Sequence, residues 1–181
     1  MSATHTETAP FWLSGRTWRL DRGNSKFEFQ VRHFWGLITV SGRFQRFDAS
    51  LETNDDGTAQ ITVLIDATSL DTGNAKRDQH LRSADFFDAD NHPVVRFTST
   101  SVTHTNNGRI NVSGELEAAG KRIPLAFDAS VHELADGDIA LEAKTVADHR
   151  QFGMTWSPFG MLRAPALLVA NARLSERPDL P

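Results

Sequence analysis

The chain has 181 residues, the length of one domain that buries roughly 70% of its unfolded surface without staples. It has no cysteine, which excludes disulfides and thiolate chemistry. Its net charge is −4 and no apolar run approaches the ~18 residues of a membrane span, so nothing favours nucleic acid, an anionic surface or stable membrane insertion.

Residues 1–17 show no basic segment followed by an apolar one, so no secretory signal is read and the expected location is the cytoplasm. The aromatic set is twelve Phe and four Trp with no Tyr, which suits an interior without hydroxyls to satisfy. Residues 1–17 read as a flexible arm, 18–175 as the domain and 176–181 as a tail.

Regular structure is expected from Trp18. Phe27, Phe29, Val31 and His33 alternate with Lys26, Glu28, Gln30 and Arg32, the pattern of a half-buried strand. Val40 and Phe44 continue the apolar face beyond Trp35-Gly36, and Phe47 falls on the other parity, which predicts a bulge between Phe44 and Phe47. Asn54-Asp55-Asp56-Gly57 reads as a hairpin turn, and it lacks the alternating acids and distal Glu of a calcium loop. Ile61, Val63 and Ile65 share the next inward face.

The pattern then breaks. Asn74 is placed to cap a short helical insertion near residues 75–88, with Ser83 capping a second turn that carries Phe86 and Phe87. His92-Pro93 ends it, and a strand with Phe97 follows. Leu116, Leu125 and Phe127 lie on the inward faces of a meander whose turns carry Asn-Gly, Ala-Gly and Asp-Gly. A Gly-, Met- and aromatic-rich loop with Met154 and Trp156 reads as a lid, and Leu167–Leu174 as the last strand.

Short strands with one apolar face and regular glycine turns predict an all-β, up-and-down antiparallel barrel of about eight strands, which either packs solid or holds one small ligand. Leu81, Phe86 and Phe87 are expected to turn inward over its interior. Arg77, Asp78 and His80 lie in no metal-ligating or nucleophile motif, so they read first as structural anchors for the helical insertion, with contact to a ligand head group left open and no catalytic residue and no metal expected.

Many spaced segments resemble one family. They are Trp18, Asp21 and Ser25-Lys26-Phe27; Val31-Arg32-His33; Val40-Ser41-Gly42-Arg43-Phe44-Gln45-Arg46-Phe47; and Ile65-Asp66, Ser69-Leu70 and Thr72. The longest are Arg77-Asp78-Gln79-His80-Leu81-Arg82-Ser83 and Asp85-Phe86-Phe87-Asp88, followed by His92-Pro93, Phe97, Ser99-Thr100, Val112-Ser113-Gly114-Glu115-Leu116, Gly120-Lys121-Arg122 and Phe152-Gly153-Met154. The chain resembles the YceI-like family of lipocalin-like lipid-binding proteins from Trp18 to Leu174. The resemblance implies a lipocalin-like extended barrel whose apolar tunnel holds a polyisoprenoid, an isoprenoid quinone or a related long chain. The implied role is storage or transport of that lipid, with the lipid as ligand and no other cofactor. Homodimerisation through strand edges is also expected. Family members are often periplasmic or secreted, and His149 stands where they carry a basic residue three before Phe-Gly.

The residues expected to contact the lipid are Phe27, Phe29, Val31, His33, Val40, Phe44, Phe47, Ile61, Val63, Leu81, Phe86, Phe87, Phe97, Leu116, Leu125, Phe127, Met154 and Trp156. Two other readings stay open at this point: an enzyme acting on an isoprenoid-like substrate inside the barrel, and a ligand-free stress-response interaction module.

Overall fold

A computed structural model describes residues 15–33, 37–105, 108–155 and 165–176. The strands in chain order are β1 (Thr17–Leu20), β2 (Lys26–His33), β3 (Ile38–Phe44), β4 (Phe47–Thr53), β5 (Ala59–Asp66) and β6 (Leu70–Asp71). After the helix α1 (Ala75–Arg82) come β7 (Val94–Thr105), β8 (Arg109–Ala118), β9 (Lys121–Glu133), β10 (Ile139–Ala147) and β11 (Ala166–Glu176).

Strands β1, β4, β5, β7, β8, β9, β10 and β11 close a ring of eight, because β1 pairs with both β4 and β11. The remaining long strands extend members of that ring. β2 continues β1 past a single helical turn at Arg22–Asn24, where the Asp21 carboxylate accepts from Gly23 N. β3 runs on into β4 through Gln45-Arg46. β11 serves both parts of the first stave, pairing with β2 over Leu167–Asn171 and with β1 over Leu174–Glu176. Each stave therefore pairs with its sequence neighbours, and the last returns to the first. This is the up-and-down order that successive short turns predict.

The parity change between Phe44 and Phe47 comes from a strand break, not from a bulge within one strand. The Ser69 hydroxyl accepts from Gln45 N at 3.2 Å and Arg46 N at 3.0 Å. A side chain thus takes the place of a ladder partner, and the chain bends without leaving buried donors unpaired. The register shift that the structure does contain lies in β7, between Ser99 and Ser101, opposite Gly114. A Cβ on Gly114 would stand 2.3 Å from the Thr98 carbonyl oxygen, so only glycine permits that approach.

The same bend separates two staves. β4 and β5 pair as far as Phe47 and Ile65, and Asp66 N still donates to Arg46 O at 2.9 Å. Beyond this point β3 and β5 diverge. β6 pairs with β3 at Arg43 and Phe44, and α1 with the turns up to His92 follows it. The helix proper is shorter than the predicted insertion. Asn74 caps it by accepting from Arg77 N, and it ends at Ser83. Residues 83–92 fold instead into successive turns, with Asp88 N donating to Ser83 O and Ala89 N to Arg82 O.

The turns after β4, β7 and β9 mark one end of the barrel, called the lower end below. The connections after β2, β8 and β10 mark the upper end. The lower half is packed solid: Trp18, Leu51, Ile110 and Ile139 are 0% exposed and Val112 is 1% exposed. Trp18 stands opposite Leu51, and Leu51 opposite Ile61, so large side chains from adjacent strands meet in one layer.

Candidate functional site

Above this layer the inward faces stop meeting. A cavity of about 340 Å³ remains, and its wall is almost entirely apolar. β2 contributes Phe27, Phe29 and Val31, and β3 contributes Val40 and Phe44. Val63 comes from β5, Phe97 from β7, Leu116 from β8, and Leu125 and Phe127 from β9. Met154 lines the cavity after β10, and Leu81, Phe86 and Phe87 close it from the insertion. The expected tunnel is therefore a blind cavity, stopped from below by the layer of Trp18, Leu51 and Ile110.

Two residues expected on the wall stand behind it. Phe47 packs on Phe27 with ring centroids 4.9 Å apart, outside the cavity lining. Ile61 is 7% exposed and belongs to the solid layer beside Leu51. For His33 the structure describes only the backbone, at the end of β2, and Trp156 lies outside the described residues with the rest of the expected lid.

Several wall residues were not among the expected lipid contacts, among them Ile65, Val95, Ala143, Ala147, His149 and Leu168. Ile65 and Val95 share the parity of Val63 and Phe97. The alanines carried a different signal. A small side chain on an inward face makes room, and Ala143 and Ala147 sit where a Leu or Phe would fill the space.

The aromatic lining is interlocked. Phe29 and Phe44 are tilted against each other at 5.6 Å, and Phe87 meets Phe44 edge-on at 5.9 Å. Phe97 and Phe127 pair at 5.4 Å. Gly42 makes the first of these contacts possible: a Cβ there would lie 2.3 Å from Phe29 Cζ.

Polar groups reach the wall in few places. Arg77 and His80 do so from one face of α1, and His149 from the single helical turn after β10. Arg77 donates from Nε to Thr72 Oγ1 at 2.7 Å and from Nη2 to Thr72 O at 2.8 Å. Asp78, which is buried, accepts from Thr72 N and from the Thr72 hydroxyl. These bonds tie α1 to the end of β6. His80 Nε2 pairs with Asp85 at 2.8 Å, and its ring meets Phe86 edge-on.

His149 is buried on the turn His149–Phe152, and Asp148 caps that turn by accepting from Arg150 N. The hydrogen bonds from the Arg150 side chain hold the Asp148 carboxyl down at about 2. Gly153, with φ at 81°, then reverses the chain into Met154. Among the described residues no three His, Asp or Glu side chains are grouped to hold a metal ion.

The family profile for the YceI-like domain matches residues 18–172. The chain belongs to this family. A UPF0312 protein of Vibrio campbellii is 33% identical over 124 residues, which are 66% of this chain and 65% of that protein. The chain thus spans somewhat less than two thirds of the length of that relative. A UPF0312 protein of Shewanella baltica is 34% identical over 133 residues, covering 71% of this chain and 68% of the relative.

Among solved structures, Burkholderia cenocepacia BcnA superposes with a TM-score of 0.74 at 19% identity, over 86% of this chain and 99% of its own. A polyisoprenoid binding domain from Saccharophagus degradans, implicated in plant cell wall breakdown, superposes at 0.71 with 16% identity, over 89% and 98%. The Campylobacter jejuni YceI protein superposes at 0.67 with 22% identity, over 82% and 91%. At these identities the structural likeness establishes a shared YceI-like barrel.

Proposed function

We propose that this YceI-like protein binds one long-chain apolar lipid, a polyisoprenoid, an isoprenoid quinone or a related chain, and stores or transports it without chemical change. The observation that carries this reading is the hollow upper half of the barrel, an apolar cavity of about 340 Å³ above a floor with no free space. Pockets for small ligands start at roughly this size. Each methylene moved from water into such a wall contributes about 0.8 kcal/mol, so a prenyl chain binds through length alone. The polyisoprenoid binding domain from Saccharophagus degradans, which shares the barrel, points to the same class of ligand. Arg77 and His80, two of the polar residues at the wall, are bonded to Thr72 and Asp85, which favours a carrier over a reaction vessel.

Organic extraction of the purified protein followed by mass spectrometry tests the reading. A long-chain lipid, chemically unmodified after incubation with the protein, is the expected result. Ala143→Phe should fill the cavity, leave the fold intact and abolish lipid recovery. A wild-type protein that neither carries nor takes up any long-chain lipid refutes the proposal.

A further inference from the structure

The exposed apolar side chains of this barrel are gathered at one end. Among the described residues the large hydrophobics open to water are Leu37, Ile38, Val94 and Val146, at 84%, 49%, 45% and 58% exposure. All four stand at the upper rim. Leu37 and Ile38 lead into β3, Val94 is the first residue of β7, and Val146 is the last but one of β10. Single exposed hydrophobics are ordinary on a protein surface, but their confinement to one rim is not.

The rim is continuous with the cavity. The lining reaches Ala147 and Ala166, which pair at the top of β10 and β11. Ile38 shares the parity of Val40, a lining residue, and stands above it on β3. The β2–β3 hairpin rises highest. Leu167 near the start of β11 pairs with Gln30, but β2 runs on to His33, about 10 Å further along the strand at ~3.3 Å per residue. Leu37 thus projects beyond the ends of β10 and β11.

Charge follows the same axis. Arg32 on β2, Lys121 at the start of β9 and Lys144 near the end of β10 are exposed. None of them has a carboxylate at ion-pairing distance among the described residues. Asp148, the acid at the top of β10, is taken up by Arg150. The strands β9, β10, β11, β2 and β3 are consecutive neighbours in the sheet, so these cations share one arc of the rim with Leu37, Ile38 and Val146. The lower tip carries Asp55 and Asp56 after β4 and Asp136 after β9, all exposed. The net charge of −4 speaks against an anionic partner for the chain as a whole, but it averages over two unlike ends.

We infer that the rim arc from β9 to β3 docks reversibly on an anionic lipid bilayer, and that the long chain enters and leaves the cavity at this contact. The passage of the chain rests on the proposed binding of an apolar lipid; the docking does not. Apolar side chains enter the boundary of the bilayer while neighbouring cations meet its anionic surface. The acidic tip is repelled by the same surface, which turns the mouth towards it. A chain that crosses there avoids water, where each exposed methylene costs about fourfold in partitioning.

Co-sedimentation of the whole chain with vesicles tests the docking. Phosphatidylcholine vesicles are compared with vesicles that also contain phosphatidylglycerol. The unmodified protein should favour the anionic vesicles about tenfold or more, less so in high salt, because each cation near such a surface contributes about fivefold. Leu37→Ser with Val146→Ser should abolish sedimentation, and Arg32→Gln with Lys121→Gln should abolish the preference. These positions are exposed, so circular dichroism and Tm should stay unchanged. The chain has no cysteine, so a single introduced thiol can carry an environment-sensitive dye. The dye should shift to the blue on anionic vesicles at Leu37→Cys and Val146→Cys, and not at Asp56→Cys.

An unmodified protein that sediments with neither vesicle overturns the inference. So does binding that the serine pair leaves intact, or a dye shift as large at the lower tip as at the rim. A dimer in sedimentation velocity that the serine pair dissolves makes the arc an interface between copies, and overturns it too. Lipid recovered from a protein that never meets vesicles refutes the docking alone, whereas a vesicle-bound protein that takes up no long-chain lipid refutes the cavity reading alone.

Discussion

Thr72 is held from three directions, and this small knot shows how single residues carry the site. Asp78 accepts its amide and hydroxyl, and Arg77 binds its hydroxyl oxygen and its carbonyl. Removing the carboxylate strands two donors. Asp78→Ala should therefore cost about 1–3 kcal/mol in urea unfolding, while Asp78→Asn, which keeps an acceptor oxygen, should cost clearly less. Gly42 acts through absence. Gly42→Ala places a Cβ 2.3 Å from Phe29 Cζ, so the ring must move. The expected loss is about 1–3 kcal/mol, with a smaller cavity visible as weaker lipid uptake. Asp148 supplies a pH signature. Its carboxyl titrates at about 2, below the ordinary 3.8, because Arg150 and the turn it caps favour the charged form. Its stabilisation is complete above the ordinary value and is lost as the pH falls towards 2. NMR titration should show that midpoint, and Arg150→Gln should raise it.

At the level of elements, α1 is a mostly polar helix that few of its residues attach to the barrel. Of its eight residues only Asp78 is buried, and the Thr72 bonds, the half-buried Leu81, the Arg82 bond to Leu70 O and the aromatic pair that follows hold it. Phe86 is 9% exposed and packs into the main core. Phe86→Ala should cost about 3 kcal/mol or more. Limited proteolysis should then cut within residues 75–92 before the barrel unfolds. The strands were legible in the sequence because period-two alternation puts every second residue on one face, and Phe27, Phe29 and Val31 show it without interruption. The break at Gln45-Arg46 was legible only as a change of parity. What produces it, the hydroxyl of Ser69, is more than twenty residues away in sequence. The boundary between solid and hollow was not legible at all. Ile61 and Val63 are both β-branched, two apart and on the same face. One meets Leu51 and the other meets open space, a difference set by neighbours on other strands.

The whole molecule divides by height: large side chains meet across the lower half and part across the upper half. Amides around Ile110, Ile139 and Leu51 should exchange slowest, at the rate of global unfolding, and those near Val31, Val40 and Ala147 should open locally. Bound lipid should slow exchange in the upper set and leave the lower set governed by overall stability. Measured protection that is uniform from end to end in the lipid-free protein would contradict this division. The divergence of β3 from β5 has a further consequence. The circumference of a closed ladder is set by its number of strands and their stagger. A barrel that must widen at one rim only cannot do so by adding a stave, because a stave runs the full height. Here the second and third staves part above Arg46, and residues 66–92 are set into the gap like a gusset. Girth at the upper rim is thereby uncoupled from strand register, and the bore can be altered by changing that insert alone.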